Sequence, residues 1–484
     1  MLLAALASPA LASAYYFLDS GTRAIGRGGA FIAGADDLSA QYYNPAALAH
    51  VERPMLQFQG WAANQYVLFD RADEEECGRT DEDGNPDCAF APVENESPPI
   101  YEPNLGFATP LGGVHPLLKN TTVAIGMYTP TSPYLAFPED GPQRYALIDS
   151  LIWQIYAGPS VAQRVTPWLT LGAGLQYTFL RVEERLVATA CFYEEACEEG
   201  SDDPANDIQL DLKTWDTMQW SGNAGILVQP TKWLDIGFSV QPPIKYEAPG
   251  SLEATFDEEL GGGVFADQLA SLSTKDEDVL LLVTVPLILR GGVQVKPVET
   301  VRVEVAGTWT GWGALEELRI TDVDMVVKDN PDEALLEEDL LITDDVVFAT
   351  GYQDAWSARL GGDWQIKDFV RASAGVHYES SAVPPQTQAV NLVDGPKWGF
   401  GLGAGVTIAK RVTLDASFAK QFIQSRSITD SDFRQQALFT DAANDYESSV
   451  LQGKVVGNGD FASNLTFVGI GATLYFGGTE AASE

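Results

Sequence analysis

Between residues 398 and 409, large apolar residues alternate with glycine or other small residues. One face of this two-residue repeat carries Trp398, Phe400, Leu402, Ala404, Val406 and Ile408, and the other carries Gly399, Gly401, Gly403, Gly405, Thr407 and Ala409. A repeat of period two predicts a β-strand. A soluble sandwich would turn the bulky face to its core and place polar residues, seldom glycine, outside. A wall with its bulky face in lipid and its small face on a lumen fits better, which predicts a transmembrane β-barrel.

The same alternation recurs along the chain from residue 54, for example at residues 169–179, 370–378 and 466–476. Short connections, which carry few acidic residues, alternate with long ones that hold much of the acid and all four cysteines. The short ones are near 165–167, 230–232, 297–300, 367–369 and 410–411, and the long ones near 71–100, 131–149, 187–208, 256–278, 321–352, 381–396 and 429–462. Short turns on one side and long loops on the other are typical of bacterial outer-membrane barrels. Counting strands between these connections predicts an all-β, antiparallel barrel of about fourteen strands.

Composition and hydropathy exclude several other classes of protein. The formal net charge of −39, from 68 acidic and 29 basic residues, argues against a nucleic-acid partner, because phosphate binding needs a basic face. The hydrophobic content of 45% excludes global disorder. The longest apolar run after the N-terminus, at residues 279–289, is interrupted by Pro286, so any membrane span is expected to be β.

The N-terminus and the cysteines both point to an exported protein. Residues 1–14 are uncharged and end in Ala12-Ser13-Ala14, a pattern that signal peptidase cleaves, so the mature chain is expected to begin at Tyr15. The basic start of a signal peptide is missing, which leaves a mis-assigned start codon or a merely apolar end as alternatives. Two local pairs, Cys77 with Cys88 and Cys191 with Cys197, are expected to form disulfides. Zinc is the competing interpretation, but neither spacing is C-x-x-C and no histidine lies near either pair.

The segment before the first strand differs from everything that follows. Residues 21–46 are rich in glycine and small residues and contain the run Arg27-Gly28-Gly29-Ala30, the pair Asp36-Asp37 and the turn Asn44-Pro45-Ala46. This segment resembles the N-terminal hatch of the FadL/TodX family of outer-membrane transporters for long-chain fatty acids and other hydrophobic compounds. The resemblance continues through residues 158–162, 171–174, 285–286, 371–376 and 380–384. It therefore covers nearly the whole mature chain.

The resemblance implies a division of the chain and a mode of action. It implies a signal peptide at 1–14, a hatch at 15–53, a barrel at 54–476 and a C-terminal extension at 477–484. In the family, a hydrophobic molecule is captured from outside, held in an apolar pocket and released sideways into the membrane at a kinked third strand. The movement is passive, so neither a cofactor nor an enzymatic activity is expected. The expected partners are a hydrophobic small molecule, such as a fatty acid or hydrocarbon, and outer-membrane lipid, and the chain is expected to act as a monomer.

Two hatch motifs are candidates for gating. Asn44, Pro45 and Ala46 are interpreted either as a hinge that touches substrate or as a turn in which asparagine caps and proline sets φ. Asp36 and Asp37 are interpreted as an acid and base pair or, preferably, as a helix cap with a solvated neighbour.

Candidate substrate ligands lie on strands. Arg290, Arg302 and Arg371 fall on lumen faces by parity, so each is a candidate for binding a carboxylate or for pairing with a lumen acid such as Glu304. His377 also lies on a strand and is a further candidate. Residues 81–87 carry oxygen ligands suited to Ca²⁺ but lack the later glutamate of an EF-hand, so a solvated loop is preferred and no metal site is predicted.

The third strand, residues 121–130, is the predicted place of lateral release. Pro130 and Pro133 lack the N–H group that a strand ladder needs, and Gly126 has no side chain to block a passage. The alternative is that both prolines simply begin the outer loop. Two other functions stay open at this point: a barrel enzyme acting on lipids, and a surface adhesin with acidic loops.

Overall fold

The computed structural model describes residues 20–74, 88–191, 202–256, 273–315, 317–323, 325–327, 340–342, 346–349, 351–440 and 448–477. Almost all regular structure in these ranges is β. The strands are β1 (Met55–Arg71), β2 (Val93–Glu94), β3 (Ile100–Pro110), β4 (Thr121–Thr131), β5 (Tyr134–Ala136), β6 (Asp149–Thr166), β7 (Leu169–Cys191), β8 (Asp207–Thr231), β9 (Leu234–Gln241), β10 (Ile244–Phe256), β11 (Ser273–Val285), β12 (Ile288–Val298), β13 (Val301–Thr310), β14 (Glu317–Thr321), β15 (Met325–Val327), β16 (Leu340–Ile342), β17 (Val346–Ala349), β18 (Ala355–Lys367), β19 (Val370–Glu379), β20 (Lys397–Ile408), β21 (Val412–Ile428), β22 (Arg434–Thr440), β23 (Ser448–Val455) and β24 (Gly459–Tyr475).

Fourteen of these strands form a closed antiparallel barrel, as the alternating sequence predicts. Their order around the ring is β1, β3, β4, β6, β7, β8, β9, β12, β13, β18, β19, β20, β21 and β24. The ring closes where β1 pairs with β24, with Met55 opposite Tyr475. Closure leaves the barrel without the free edges that lipid could not satisfy.

The face predicted to meet lipid is the exposed face. Trp398 and Leu402 on β20 are 55% and 52% exposed, while the intervening glycines point inward. Exposed tryptophans also lie near the short turns, at Trp168, Trp233 and Trp364. These three tryptophans correspond to the aromatic girdle at one membrane interface of an outer-membrane barrel.

Several connections that the sequence assigned to loops contain strands. β7 continues to Cys191 and β8 begins at Asp207, and β10 and β11 form a sheet that extends beyond the ring. The predicted loop at 321–352 carries β15, β16 and β17, and the one at 429–462 carries β22 and β23. These strands were not predicted from the sequence. Loop 381–396 folds into the barrel mouth, where Val390 and Leu392 are buried.

Buried ion pairs hold the outer loops together. Arg71 donates to both carboxylate oxygens of Asp202, at 2.7 and 3.0 Å, and Lys454 also contacts Asp202. Burial alone would raise the pKa of Asp202, but the charges of Arg71 and Lys454 lower it below its ordinary value. Arg144 pairs with Asp207 at 2.5 Å on the neighbouring loop. These contacts join outer loops that are distant in sequence and hold them over one end of the barrel.

The segment before β1, residues 20–53, fills the barrel and is called the hatch here. Its helices are α1 (Thr22–Gly26) and α2 (Ala40–Tyr43), followed by a 3-10 helix at Pro45–His50. Further 3-10 turns lie at Leu111–Gly113, Pro116–Leu118, Pro204–Asn206, Trp312–Ala314, Pro385–Thr387 and Val390–Leu392. Within the described ranges, no helix combines the length and the apolar character needed to cross a membrane.

Glycines on the inner wall are explained by the close approach of the hatch. A Cβ atom placed on Gly375 would lie 1.9 Å from the carbonyl oxygen of Arg27, and one on Gly401 would lie 2.0 Å from that of Ile25. On the opposite wall, a Cβ on Gly172 would lie 2.1 Å from the amide of Ala46. Only glycine lets backbone approach backbone this closely. The glycine face of the repeat is therefore the surface on which the hatch packs.

Candidate functional site

Two arginines on α1 anchor the hatch to acids of the barrel. Arg23 and Arg27 lie one turn apart, and both donate to Asp363 on β18, at 2.8 and 2.9 Å. Arg27 also pairs with Glu304 on β13 at 3.1 Å. Arg27 and Glu304 are completely buried. Because an unpaired charge in such a place would be costly, each group depends on its partners.

Glu304 also binds the hatch backbone. Its Oε1 accepts hydrogen bonds from the amides of Ile32 and Ala33 at 2.6 and 2.8 Å, and its Oε2 accepts one from Gly34 at 3.0 Å. One carboxylate thus satisfies three consecutive N–H groups of a segment without regular structure. This contact fixes the middle of the hatch against β13.

The aspartate pair of the hatch is placed differently from the preferred interpretation. Asp36 is ion-paired with Arg23 and, at 2.7 Å, with Arg302, so it does not cap a helix. Burial alone would raise its pKa, but the charges of Arg23 and Arg302 bring it below the ordinary value. Asp37 accepts a hydrogen bond from the amide of Ser39 at 2.8 Å. It is 6% exposed, so the expected solvated neighbour is wrong, and burial raises the pKa of Asp37.

The Asn44-Pro45-Ala46 turn has the geometry of a cap. The side chain of Asn44 accepts from the amide of Ala46 at 3.1 Å, and Pro45 opens the 3-10 helix. The amide group of Asn44 also donates to the carbonyl of Ile226 on the barrel wall at 3.1 Å. These bonds fit a structural role for Asn44, and a gating role for the turn stays a prediction.

The barrel wall has a gap between β3 and β4. Within the described residues, ladder pairs between these strands run from Pro110↔Thr122 to Leu105↔Met127 and stop there. Above that point, Asn104 Oδ1 accepts a hydrogen bond from the amide of Thr129 at 3.2 Å. A side chain thus replaces the missing ladder bond, which is how backbone groups at membrane depth stay satisfied. We call this opening in the ladder, residues 101–104 and 128–131, the wall gap.

The candidate residues for lateral release lie at the wall gap. Pro130 is buried on the β4 side, next to a register shift between Tyr128 and Thr131 against β6. Pro133 is buried just beyond the strand. Gly126 lies lower, in the paired part, where an added Cβ would meet the side chain of Gln41 at 2.6 Å. Their part in release is untested and stays a prediction.

A small cavity lies inside the wall gap. It is lined by the hatch residues Leu38, Gln41 and Tyr42 and by the wall residues Asn104, Leu105, Met127 and Tyr128, among others. Its volume of about 20 Å³ has room for one water molecule and not for a hydrocarbon chain. The wall gap is therefore closed in this conformation.

A line of tyrosines, Tyr42, Tyr43, Tyr128 and Tyr156, crosses the floor of the lumen where the hatch ends. We call it the tyrosine line. Ring centroids are 4.8 Å apart for Tyr42 and Tyr43, 5.6 Å for Tyr42 and Tyr128, and 5.5 Å for Tyr128 and Tyr156. Arg290 from β12 lies over the Tyr42 ring, 4.5 Å from its centroid. Above this floor many inward side chains are apolar, including Leu180, Val182, Leu210, Leu212, Leu281, Val283, Trp312 and Leu392, and buried polar groups such as Thr178 and Glu184 lie among them. The lumen thus has a largely apolar lining above a cationic group at its base.

The other three candidate ligands lie outside the tyrosine line. Arg302 pairs with Asp36, and Arg371 pairs with Asp415 at 2.5 Å. His377 is 5% exposed, and neither ring nitrogen has a hydrogen-bond partner among the described residues. It lies opposite Arg359 on β18. Of the four candidates, Arg290 is the one placed on the tyrosine line.

Comparison with known proteins decides the family. The family described as outer membrane protein transport protein (OMPP1/FadL/TodX) matches residues 3–460. The chain belongs to this family. A search of curated proteins finds no match.

Solved structures of FadL and TodX type share the fold. A Pseudomonas aeruginosa FadL homologue has a TM-score of 0.72 at 16% identity, with coverage of 96% of this chain and 100% of that chain. The Pseudomonas putida toluene transporter TodX has a TM-score of 0.62 at 13% identity, covering 95% of this chain and 99% of that one. The Ralstonia pickettii toluene transporter TbuX has a TM-score of 0.60 at 13% identity, with coverages of 95% and 99%. The protein is thus an outer-membrane barrel of a family that transports hydrophobic compounds.

Sequence reasoning missed most of the hatch anchors. Arg23 and Asp363 were not singled out and Arg27 was noted only as part of a glycine-rich run, although Arg23 and Arg27 have the four-residue spacing of one helix face. Asp363 and Asp415 lie at inward positions of glycine-rich strands, where a charge signals a buried partner.

The cysteine and calcium predictions fall largely outside the described residues. Cys77, Cys197 and the acidic run at 81–87 are not among them, and of Cys191 only the backbone is described. Cys88 is buried beside Phe90. Both disulfides and the signal peptide at 1–14 remain predictions. In the part of the chain that the structure describes, no group of three or more His, Cys, Asp or Glu residues could hold a metal ion.

Proposed function

We propose that this protein carries long-chain fatty acids passively from the cell exterior into the outer membrane. The observation that supports this most is the apolar lumen with Arg290 at its floor, over the Tyr42 ring. A carboxylate at Arg290 gains charge-assisted hydrogen bonds, and an alkyl chain packs on apolar side chains. The hatch blocks the straight path, since nearly all of residues 20–48 are buried.

Release occurs sideways through the wall gap. Asn104 and Thr129 are joined there by side-chain bonds and not by a ladder, so they can part without breaking a row of strand pairs. Tyr128 links the floor of the lumen to this gap. A molecule that leaves here enters the hydrocarbon of the bilayer, and no energy source is needed.

The role of Arg290 is tested by comparing two substrates of equal chain length. Hydrogen bonds to charged groups contribute roughly 1.5–3 kcal/mol, so Arg290→Gln is expected to lower palmitate uptake by about tenfold or more. Uptake of hexadecane, which has no carboxylate, should stay within about twofold of wild type, and Arg290→Lys should retain most palmitate uptake. Arg53→Gln, at the exposed end of the hatch, serves as the control variant.

The same assay separates the substrate classes. Equal effects of Arg290→Gln on the uptake of both compounds would rule out a carboxylate-binding site at Arg290. They would favour a neutral hydrocarbon as the transported molecule. Uptake equal to that of vesicles without protein, for both compounds, would contradict transport itself.

A further inference from the structure

The barrel wall has a second break, between β8 and the strand formed by β9 and β10. Ladder pairs between β8 and β9 end at Ala224↔Val240, and pairs between β8 and β10 begin at Thr214↔Gly250. Between these points no ladder pair joins residues 215–223 to residues 241–249. On their other sides β8 pairs with β7 and β10 pairs with β11, with a register shift against β7 at Thr217 and Met218. We call this opening the second gap.

Side chains cap the backbone groups that the second gap leaves without a strand partner. Asp216 Oδ1 accepts from the amide of Met218 at 3.0 Å, and its Oδ2 accepts from the amide of Glu247, across the gap, at 3.3 Å. The hydroxyl of Tyr177 donates to the carbonyl of Thr217. Asp216 therefore does at the second gap what Asn104 does at the wall gap. Such replacement bonds keep a broken ladder tolerable next to lipid.

Prolines ensure that this ladder stays open. Pro242 and Pro243 lie between β9 and β10, and Pro249 lies at the upper end of the break. None of these residues can donate a ladder bond. The outward face of β8 changes at this point, because Met218 and Trp220 are exposed below its register shift against β7 and Trp215 is exposed above it.

The height of the second gap is that of the outer membrane interface. A tilted strand crosses the hydrocarbon core in about 9–11 residues. Counted from the short turn after Thr231, this distance ends near Trp220, which is 58% exposed and packs edge-on against Tyr177. Met218, at the gap itself, is 73% exposed. Met218, Trp215 and Trp220 thus offer an exposed apolar surface to a molecule dissolved in the outer leaflet.

The tyrosine line connects the two gaps inside the barrel. Tyr128 borders the wall gap and stacks edge-on with Tyr156. Gln241 donates to the Tyr156 hydroxyl at 3.4 Å, and Gln154 donates to the Tyr246 hydroxyl at 2.9 Å. Tyr246 is buried directly beside Glu247, on the inner side of the second gap. Tyrosine rings, with glutamine amides bonded to their hydroxyls, thus lie between the two gaps.

We propose that the second gap is a lateral opening through which long-chain amphiphiles dissolved in the outer leaflet enter the lumen. They pass Met218 and Trp220, reach Tyr246 and follow the tyrosine line toward the wall gap. This inference rests on the proposed function for its substrate class and adds a second route into the same lumen. It assigns Asp216 as the residue that closes this route.

Photolabelling with a diazirine derivative of palmitic acid tests the proposal. The full-length protein is placed in lipid nanodiscs that already contain the probe, irradiated, and analysed by peptide mapping with and without excess unlabelled palmitate. We expect competitor-sensitive labelling of Met218 and Tyr246, in addition to residues of the wall gap. Labelling of Met218 and Tyr246 that the competitor does not reduce would overturn the second gap as an opening.

A cross-link across the second gap provides the second arm. In the variant Thr217→Cys/Glu247→Cys, joined by a short thiol cross-linker and verified by mass, labelling of Tyr246 is expected to fall at least fivefold. The same variant before cross-linking should label like wild type. The matched control is Trp398→Cys/Phe422→Cys, which joins two outward residues of an intact ladder and should leave labelling unchanged.

The outcomes separate this inference from the proposed function. Unchanged Tyr246 labelling after cross-linking of residues 217 and 247, with competitor-sensitive labelling at the wall gap, would refute the second opening alone. An absence of competitor-sensitive labelling at every site would contradict fatty-acid binding as a whole.

Discussion

At the scale of single residues, charges that balance one another attach the hatch. Arg23, Arg27 and Arg302 face Asp36, Asp363 and Glu304, and each cation contacts at least one of these carboxylates within 3.1 Å. Removing one partner of a buried ion pair typically costs about 3–5 kcal/mol, because the other charge is left uncompensated. The network thus adds directional contacts to the apolar packing between the hatch and the barrel.

The surroundings of His50 predict that hatch attachment depends on pH. Burial lowers the pKa of His50 below its ordinary value, and Lys296 adds to this effect, against the opposing charges of Asp235 and Asp36. Its Nδ1 lies 3.3 Å from the carbonyl of Ala35 and its Nε2 lies 3.1 Å from the side-chain nitrogen of Gln229, an arrangement that suits neutral imidazole.

The sign of the pH effect follows from this lowered pKa. The imidazole of an undocked hatch has the ordinary pKa of about 6.5, whereas the docked imidazole has a lower pKa. As the pH falls, the undocked state therefore binds a proton first, and docking weakens. We expect amide hydrogen exchange in residues 44–51, corrected for its intrinsic rate, to be several-fold faster at pH 5 than at pH 7.5. His50→Gln should reduce this difference. Equal protection at both values in the wild-type protein would show that His50 does not control docking.

At the scale of elements, the alternating sequence was sufficient to predict the strands and their lipid face. It was sufficient because lipid contact requires every second residue to be apolar, a rule that is read locally at Trp398, Leu402 and Ile408. The glycines at 401 and 375 were correctly placed on the lumen side. Their reason, the close approach of Arg27 and Ile25, could not be predicted, since it depends on contacts more than 300 residues apart in the chain.

Breaks in the strands were harder to predict than the strands themselves. Pro130 marks the wall gap, but whether a ladder is missing depends on which strand lies opposite. The pairs between β3 and β4 already end at Leu105↔Met127, before Pro130 is reached. The strands that continue into the acidic loops were missed, because outside the membrane the outward face carries charge and the apolar rule no longer holds on that side.

Substitutions on β20 test the assignment of the lipid face. Leu402 is 52% exposed and lies midway between Trp398 and the short turn after Ile408, near the bilayer midplane. Leu402→Arg is expected to cost roughly 2–4 kcal/mol of unfolding free energy, whereas Ile408→Arg at the interface should cost about 0–1 kcal/mol. Reversible urea unfolding in bilayers measures both. Equal costs at the two positions would mean that Leu402 does not face the hydrocarbon core.

At the scale of the whole molecule, the barrel is a closed wall with a plugged centre. The hatch fills the lumen below the tyrosine line, and apolar side chains and inward-folded loops fill the mouth above it. The two places where side chains join neighbouring strands across a break, at Asn104 and Asp216, lie four strands apart around the ring. The routes that we propose for a hydrophobic molecule therefore lead through the wall and not along the axis.

Locking the wall gap tests lateral release directly. Asn104 Oδ1 accepts from the Thr129 amide at 3.2 Å, so cysteines at these two positions are close enough for a short cross-linker to bridge. In the variant Asn104→Cys/Thr129→Cys, we expect cross-linking to reduce palmitate uptake by proteoliposomes at least tenfold, because the hatch offers no alternative path. The variant before cross-linking should retain transport. The pair Trp398→Cys/Phe422→Cys, bridged in the same way over an intact ladder, should transport at the wild-type rate. Full uptake through a barrel whose residues 104 and 129 are joined would place the exit elsewhere, either at the second gap or along the axis past a displaced hatch.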